Sequence, residues 1–407
     1  MSTGSNEVTE AEKHGSKLTR RPPIKVFIVA ATVANAAGVL SVQILGLLTL
    51  APSDFGLFSV QYLFFALASS ICLSVVCEPW LRKDLHDGQS STWHEYSSIL
   101  IYLSTLGGVV TLVVSLAVPA LQVIAISGSI AVLASTYRTG ARYHEVRSRN
   151  WMRVLYSDVA GLVVTIGTWI ALSLAGENSI WSVSVAWAAG SVASAILSAS
   201  PRILGPRSLS IWFTRHRTHI TPLLRDSTLM DLGAIGTPLV LAPMLGIASF
   251  GVYRAVSNVA APVRLLLNPL RPSLAGAPLS MHLSRQRVLG SASLSISTGL
   301  AAYVALIWID TLSLALGSLT AVAAYAFPTA LFVSANFLGH YYYIIARAHR
   351  QGIHLLVGRI VQTCLAILLP VGGVVVLGLS GAIWGYAVAT MVSALTWLTL
   401  VVNSRLR

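Results

Sequence analysis

The sequence is poor in charged residues, and among these it is poor in acidic ones. Only 10% of the 407 residues are charged, with 27 Lys and Arg against 14 Asp and Glu, whereas soluble domains carry about 25% charged residues. Hydrophobic residues make up 55% of the chain. This excludes a chain that mostly faces water, and the recurring apolar runs of about 20 residues predict membrane-spanning helices.

Cysteine and catalytic motifs are also scarce. The three cysteines, Cys72, Cys77 and Cys364, all fall inside apolar runs, which predicts neither a disulfide framework nor a zinc site. The sequence contains no HExxH, GxSxG or Walker A motif, and the segments predicted to be external are too short to hold an extracytoplasmic glycosyltransferase or polymerase site. We therefore predict no catalytic residues, no metal, no cofactor and no enzymatic activity.

The apolar runs predict an all-α polytopic membrane protein with about twelve transmembrane helices. The predicted helices cover residues 25–50, 57–77, 97–117, 119–137, 154–175, 180–199, 228–247, 250–280, 288–308, 312–336, 355–377 and 382–402. The predicted organisation is a disordered cytoplasmic tail (1–23), an N-terminal six-helix lobe (24–199), a basic cytoplasmic linker (200–227) and a C-terminal six-helix lobe (228–407).

The distribution of basic residues predicts the orientation in the membrane. All but three of the 27 Lys and Arg residues fall in alternate segments and the adjoining helix ends, which the positive-inside rule assigns to the cytoplasm. The other connections carry Asp54, Glu177 and Asp310. The net charge of +13 therefore reads as a topology signal and not as a nucleic-acid surface. We predict a multi-pass protein of the cytoplasmic (inner) membrane with both termini inside.

The two halves of the chain resemble each other weakly. The segment DFGLF (54–58) follows predicted helix 1, and SFGVY (249–253) follows predicted helix 7. Six crossings separate them, so the repeat would be parallel, with a pseudo-two-fold axis along the membrane normal. Transporters with two lobes have this organisation, with a substrate path between the lobes.

Predicted helix 8 holds the three remaining arginines. Arg254, Arg264 and Arg271 lie about 6, 21 and 32 Å from the predicted external turn, at about 1.5 Å of rise per residue, and Ser257, Asn258 and Asn268 fall on the same arc. Charged groups at this depth cannot face lipid. A planar guanidinium binds two phosphate oxygens at once, so this helix predicts a cationic groove that would bind a diphosphate.

Several alternatives remain for these polar residues. Each arginine could neutralise a buried carboxylate; Asp231 lies at the depth of Arg264, which predicts a buried charge pair, and Arg271 could extend to the cytoplasmic interface. Asn35, Gln43 and Gln61 are predicted to line the path, although membrane amides often bond to neighbouring helices. Asp158 and Arg359 read as solvated charges at helix ends, and HYYYIIARAHR (340–350) reads as an interfacial belt between helices 10 and 11.

The segments LGLLTLAPSDFGLFSV, EPWLRKD and FGVYRAVSNVAAPVRLLLNPLRPSL resemble the polysaccharide (O-antigen-type) flippase family of the multidrug/oligosaccharidyl-lipid/polysaccharide (MOP) exporter superfamily. The resemblance covers residues 25–402. It implies two six-helix lobes, alternating access, and a cationic central cavity lined by Arg254 and Arg264. Drug/cation antiporters of the superfamily often carry a carboxylate in helix 1, where this chain has Asn35 and Gln43.

These observations predict a flippase that moves a lipid-linked oligosaccharide, carried on a polyprenyl diphosphate, across the membrane. The alternatives are a small-molecule or drug exporter of the same fold, and a non-transporting membrane scaffold for glycan assembly enzymes. The expected partners are the lipid-linked glycan, membrane lipids, and glycosyltransferases or a polymerase of the same pathway, without nucleic acid.

Overall fold

The computed structural model describes residues 24–87, 91–263, 267, 274, 277–350 and 352–402, and these residues form helices without any β-strand. The N-terminal lobe, here called the N-lobe, contains seven α-helices. They are α1 (Ile24–Thr49), α2 (Pro52–Cys72), α3 (Glu78–Asp87), α4 (Trp93–Ala117), α5 (Ala125–Arg147), α6 (Trp151–Leu174) and α7 (Ile180–Leu197). A π-helical turn (Leu73–Cys77) joins α2 to α3, and a 3₁₀ turn (Pro119–Ile124) precedes α5.

The C-terminal lobe, or C-lobe, contains the remaining helices. They are α8 (Arg207–Asp231), α9 (Thr237–Leu245), α10 (Ile247–Val259), α11 (Leu279–His282), α12 (Arg285–Thr311), α13 (Ser318–Ala323), α14 (Ala326–His349) and α15 (Gly352–Val402). A second π-helical turn (Leu232–Gly236) joins α8 to α9. The long α15 bends at Leu377 and Gly378, where the backbone leaves helical geometry, so it forms two antiparallel spans.

The prediction of twelve transmembrane helices in two six-helix lobes is confirmed. Nine helices in the described part of the chain are long and apolar enough to cross a membrane, and the longest of them, Ile353–Val402, contains two spans. The other two are α10, which has 13 residues, and α14, whose sequence is more polar.

Predicted helix 10 is wrong in position. The apolar run 312–336 contains a turn, the short helix α13 and only the first part of α14, which extends from Ala326 to His349. The interruption is explained by Gly317: its φ is +54°, and a Cβ there would lie 2.8 Å from the Leu48 and Leu50 carbonyl oxygens. The segment HYYYIIARAHR, predicted to be a linker, lies almost wholly inside α14, where Tyr342 is fully buried.

The two lobes meet closely where α2 packs along α10. A Cβ added to Gly251 would lie 1.8 Å from the Pro52 carbonyl oxygen, and one added to Gly56 would lie 2.4 Å from the Ile247 carbonyl oxygen. These glycines belong to the two related segments SFGVY and DFGLF. The internal repeat therefore places equivalent glycines against each other, at the end of the lobes that the charge distribution predicts to be external.

A second contact supports the same end of the interface. The Ser318 hydroxyl at the start of α13 donates a hydrogen bond of 2.9 Å to the Leu50 carbonyl oxygen, between α1 and α2. Gly317 lies against the backbone of the same segment, at Leu48 and Leu50. Together with the α2–α10 contact, these interactions hold N-lobe and C-lobe backbones together at the predicted external end.

Helix α8, the first helix of the C-lobe, also packs against the N-lobe. Its buried face presents Trp212, whose indole donates a hydrogen bond of 3.0 Å to the Val75 carbonyl oxygen in the π-helical turn. A π-helical turn leaves carbonyl groups without their regular helical partner, which explains why Val75 is available. His216 stacks on Trp212 at 3.9 Å, and Arg215 forms an ion pair of 2.9 Å with Glu95.

Candidate functional site: a cavity inside the N-lobe

The N-lobe encloses a partly open cavity of about 110 Å³ between α1, α2, α5, α6 and α7. Its wall on α5 to α7 belongs to the halves of these helices that lie nearer the predicted cytoplasmic side. The lining residues include Asn35, Gly38, Val39, Tyr62, Phe65, Ser135, Arg138, Thr139, Arg142, Asp158, Trp187, Ser191 and Ser194. The cavity therefore combines an apolar wall with a polar one.

Aromatic rings from α2 and α7 form the apolar wall. The ring of Trp187 lies 5.7 Å from Tyr62 and 5.8 Å from Phe65, between ring centroids, and Tyr62 and Phe65 are 5.4 Å apart. Such distances are typical of interacting aromatic pairs. Because the rings support each other, they offer a fixed surface for a ring or an apolar body.

Ionic groups of α5 and α6 form the polar wall. Arg138 donates to Glu145 and to Asp158, both at 2.8 Å, and Arg142 donates through Nε to the other Asp158 oxygen at 3.0 Å. Arg138 also reaches the Ser198 hydroxyl and the Val154 carbonyl oxygen. Buried charges need such partners, since an unpaired ion in this environment costs several kcal/mol.

The prediction that Asp158 and Arg359 are solvated helix-end charges is wrong. Each residue is only 7% exposed. Asp158 is paired by two arginines of the neighbouring helix α5, while Arg359 donates to the Tyr343 hydroxyl at 2.8 Å and packs over its ring. The sequence did contain a signal for the first case: Arg138, Arg142 and Glu145 are spaced four and three residues apart, which places them on one face of α5.

Arg142 and Asn35 both carry hydrogen-bond donors and both line the cavity. Within the described part of the chain, the Nη1 and Nη2 atoms of Arg142 contact no acceptor, since its recorded partner binds Nε. The Arg142 side chain is 23% exposed. Asn35, on α1, also lines the cavity. By contrast, both Asp158 oxygens accept hydrogen bonds from arginine nitrogens.

The other predicted path residues of the N-lobe lie elsewhere. Gln43, on α1, is half-buried and is not part of the cavity wall. Gln61 is fully buried, and its amide nitrogen donates to the Ile124 carbonyl oxygen at 2.9 Å and to the Ser115 hydroxyl at 3.3 Å. Its amide therefore joins α2 to the segment before α5. The role predicted for both residues in a substrate path stays a prediction.

The predicted arginine groove of the C-lobe is only partly covered by the structure. Arg254 is 9% exposed and lies one turn after Gly251, on the face of α10 that meets α2, and Asn258 is half-buried one turn further on. The other members of the groove, Arg264, Asn268 and Arg271, lie outside the described residues.

The predicted pair between Asp231 and Arg264 cannot be placed for the same reason. Asp231 is 9% exposed at the end of α8. Its carboxylate interacts with the Ser70 hydroxyl of the N-lobe and with the charge of Arg359. These groups are partners of Asp231 that the depth count along the sequence did not identify.

Solved structures with the same arrangement of helices are transporters. An inward-facing structure of a multidrug resistance MATE family transporter of the MOP superfamily aligns with a TM-score of 0.62 and 12% identity, over 93% of this chain and 98% of that protein. The chain has the fold of MATE transporters. A mutant of the Vibrio cholerae MATE transporter VcmN (TM-score 0.54, 13% identity, 94% and 97% covered) and a eukaryotic MATE transporter (0.54, 12%, 94% and 95%) also align.

The comparison extends to the fold and not to the substrate. No protein-family model matches the sequence, and no curated protein matches it either. The MOP superfamily fold expected from the resemblance agrees with these structures, whereas the polysaccharide branch has no counterpart among them.

Proposed function

We propose that this protein is an alternating-access exporter that loads small amphipathic molecules into the N-lobe cavity and releases them on the predicted external side. The observation that carries the proposal is the asymmetry of the two ends. Backbones of α2 and α10 touch at Gly56 and Gly251 at one end, while the cavity wall on α5 to α7 lies toward the other end. The MATE fold of the neighbours supports the proposal.

The closed end is built from contacts that can be broken and remade. At Gly56 and Gly251 the touching atoms are backbone and carbonyl oxygens, while the neighbouring Phe55 and Phe250 are buried in one hydrophobic cluster, so opening this end also exposes apolar side chains. A transporter of this type interconverts between two conformations that differ by a few kcal/mol. The glycines limit this cost at the point of contact, and each Å² of apolar surface exposed around them costs about 25 cal/mol.

The size of the cavity limits what it binds. Pockets for drug-sized molecules usually measure about 300–1,000 Å³, and this cavity measures about 110 Å³. It therefore holds one ring or one polar group, and the rest of a larger molecule extends through the open side. Val39 of α1 both lines the cavity and is 42% exposed, and in this proposal the opening beside it borders the lipid.

A second candidate follows from that opening: translocation of a lipid-linked oligosaccharide. A cavity that borders the membrane suits a substrate whose polyprenyl tail stays in the bilayer while its diphosphate and sugar move. The guanidinium of Arg142 would bind the diphosphate, since its planar fork matches two phosphate oxygens. In this reading the aromatic wall contacts the sugar.

Transport by purified protein in vesicles tests both candidates. One set of vesicles contains a panel of fluorescent amphipathic molecules, and a second contains a fluorescent disaccharide on a short polyprenyl diphosphate, whose position is read by quenching from outside. The matched variants are Gly251→Val, which blocks the α2–α10 contact, and Gly167→Val, which lies on α6 with no atom near its Cβ position.

The proposal expects wild type and Gly167→Val to export members of the soluble panel, and Gly251→Val to export none. If only the disaccharide lipid moves, the exporter proposal is replaced by the second candidate, translocation of a lipid-linked oligosaccharide. If neither substrate moves faster than in protein-free vesicles, the transporter proposal is overturned and the scaffold alternative gains support.

A further inference from the structure

In the ionic network beside the N-lobe cavity, the carboxylate acceptors are all occupied, whereas two donor atoms of Arg142 are not. Asp158 has both oxygens occupied by arginine nitrogens, and the Glu145 oxygens accept from Arg138 and from the Ala199 backbone. Two arginines and two carboxylates have no net charge together. However, the carboxylate oxygens are occupied by hydrogen bonds within this ionic network. Arg142 lines the cavity, and its Nη1 and Nη2 atoms contact no acceptor among the described residues.

We infer that Arg142 is an anion-binding residue, held in position by Asp158, and that the cavity selects molecules in which an acid group is joined to a ring-bearing body. The inference rests on the proposed function and names its substrate class. Arg142 and the amide of Asn35 would bind the acid group, and Trp187 with Tyr62 would pack against the body.

The role of Asp158 follows from geometry. Its bond to Arg142 Nε leaves the two terminal nitrogens of the same guanidinium free to form a parallel, bidentate pair with an acid group. A cationic molecule would have to compete for Asp158 with Arg138 and Arg142, which are already bound to it. The site therefore disfavours cationic molecules and favours anionic ones.

Removal of Arg142 should leave the fold intact. In Arg142→Gln, Asp158 keeps its 2.8 Å ion pair with Arg138, so no carboxylate is left unpaired. The control is Arg153→Gln, since Arg153 is exposed on α6 and is not part of the cavity wall. Arg142→Lys retains charge without the fork and should restore binding only in part.

Calorimetric binding to purified full-length protein tests the inference with three probes of one shape. They are naphthalene-2-sulfonate, the neutral naphthalene-2-sulfonamide and the cationic 2-naphthylmethylammonium. Wild type and Arg153→Gln should bind the sulfonate at least ten-fold more tightly than the other two. Arg142→Gln should lose about ten- to a hundred-fold in sulfonate affinity, the value of a charged hydrogen bond, with little change for the sulfonamide.

A lipid arm distinguishes two sources of the acid group. Undecaprenyl diphosphate in nanodiscs, with undecaprenol as its control, competes for the bound sulfonate: Arg142-dependent competition identifies a lipid-linked acid, and absence of competition identifies a free one. The inference is overturned if the cationic or neutral probe binds as tightly as the sulfonate, or if Arg142→Gln with a wild-type melting temperature binds the sulfonate normally. Since binding needs no transport, selective binding without transport in vesicles would overturn only the proposed function.

Discussion

Replacement of Gly251 by alanine should open the predicted external end of the protein. The new Cβ would lie 1.8 Å from the Pro52 carbonyl oxygen and 3.1 Å from the Gly56 nitrogen, whereas real Cβ contacts stay above 3.0 Å. Because the obstacle is backbone on both sides, rotation of a side chain cannot relieve it. Helices α2 and α10 must therefore separate by about 1.2 Å at this point.

The size of the effect follows from overpacking. A forced methyl group in a close contact costs about 1–3 kcal/mol, and this cost falls only on the closed conformation. The ratio of closed to open protein should therefore decrease by roughly 5- to 150-fold. The control is Gly167→Ala on α6. No atom lies near the Cβ position of Gly167, so this variant should leave the ratio unchanged.

Thiol labelling measures that ratio. Ser59 lies on the same face of α2 as Gly56 and is 2% exposed, so Ser59→Cys in a chain without its native cysteines should be unreactive toward an impermeant thiol reagent. Adding Gly251→Ala should make it reactive from the predicted external side. If the labelling rate of the double variant equals that of Ser59→Cys alone at wild-type stability, the α2–α10 contact does not close the path.

Three further predictions concern topology, stability and the C-lobe. A cysteine at Glu177 should react with an impermeant reagent from outside intact cells and one at Arg215 should not; the opposite pattern contradicts the predicted orientation. Arg138→Gln should lower stability by about 3–5 kcal/mol because it breaks a buried ion network, and a melting temperature equal to wild type would contradict the network. Arg254→Ala should lower transport about ten- to a hundred-fold with partial recovery in Arg254→Lys, and full transport by the alanine variant at normal expression would remove Arg254 as a ligand.

Hydropathy and charge distribution predicted most of the fold, because lipid imposes a minimum length on each apolar span. They failed at helix 10, where the apolar run continues through a break. That break depends on Gly317, whose backbone must approach Leu48 and Leu50 of another helix. A contact between residues so far apart in the chain leaves no local signal in the sequence.

The candidate site was predicted less well than the fold. Asn35 was predicted to line a substrate path; it lies in the cavity wall, and its role in transport stays a prediction. Asp158 was attributed to a helix end and Arg142 was not singled out, and only the packing of α5 against α6 brings the two side chains within 3.0 Å. The close glycines Gly56 and Gly251 were noticed as parts of a repeat, although the repeat alone did not indicate that the two copies touch.

The central claim is that the N-lobe cavity opens to one side of the membrane at a time. Side-specific labelling of Ser191→Cys tests it most directly, because Ser191 lies in the cavity wall on α7, where its hydroxyl bonds to that of Ser135. In a chain without native cysteines, the account predicts labelling from the cytoplasmic side in wild type and from the external side once Gly251→Val is added. Labelling of wild type from both sides at equal rates, or from neither side, would contradict it.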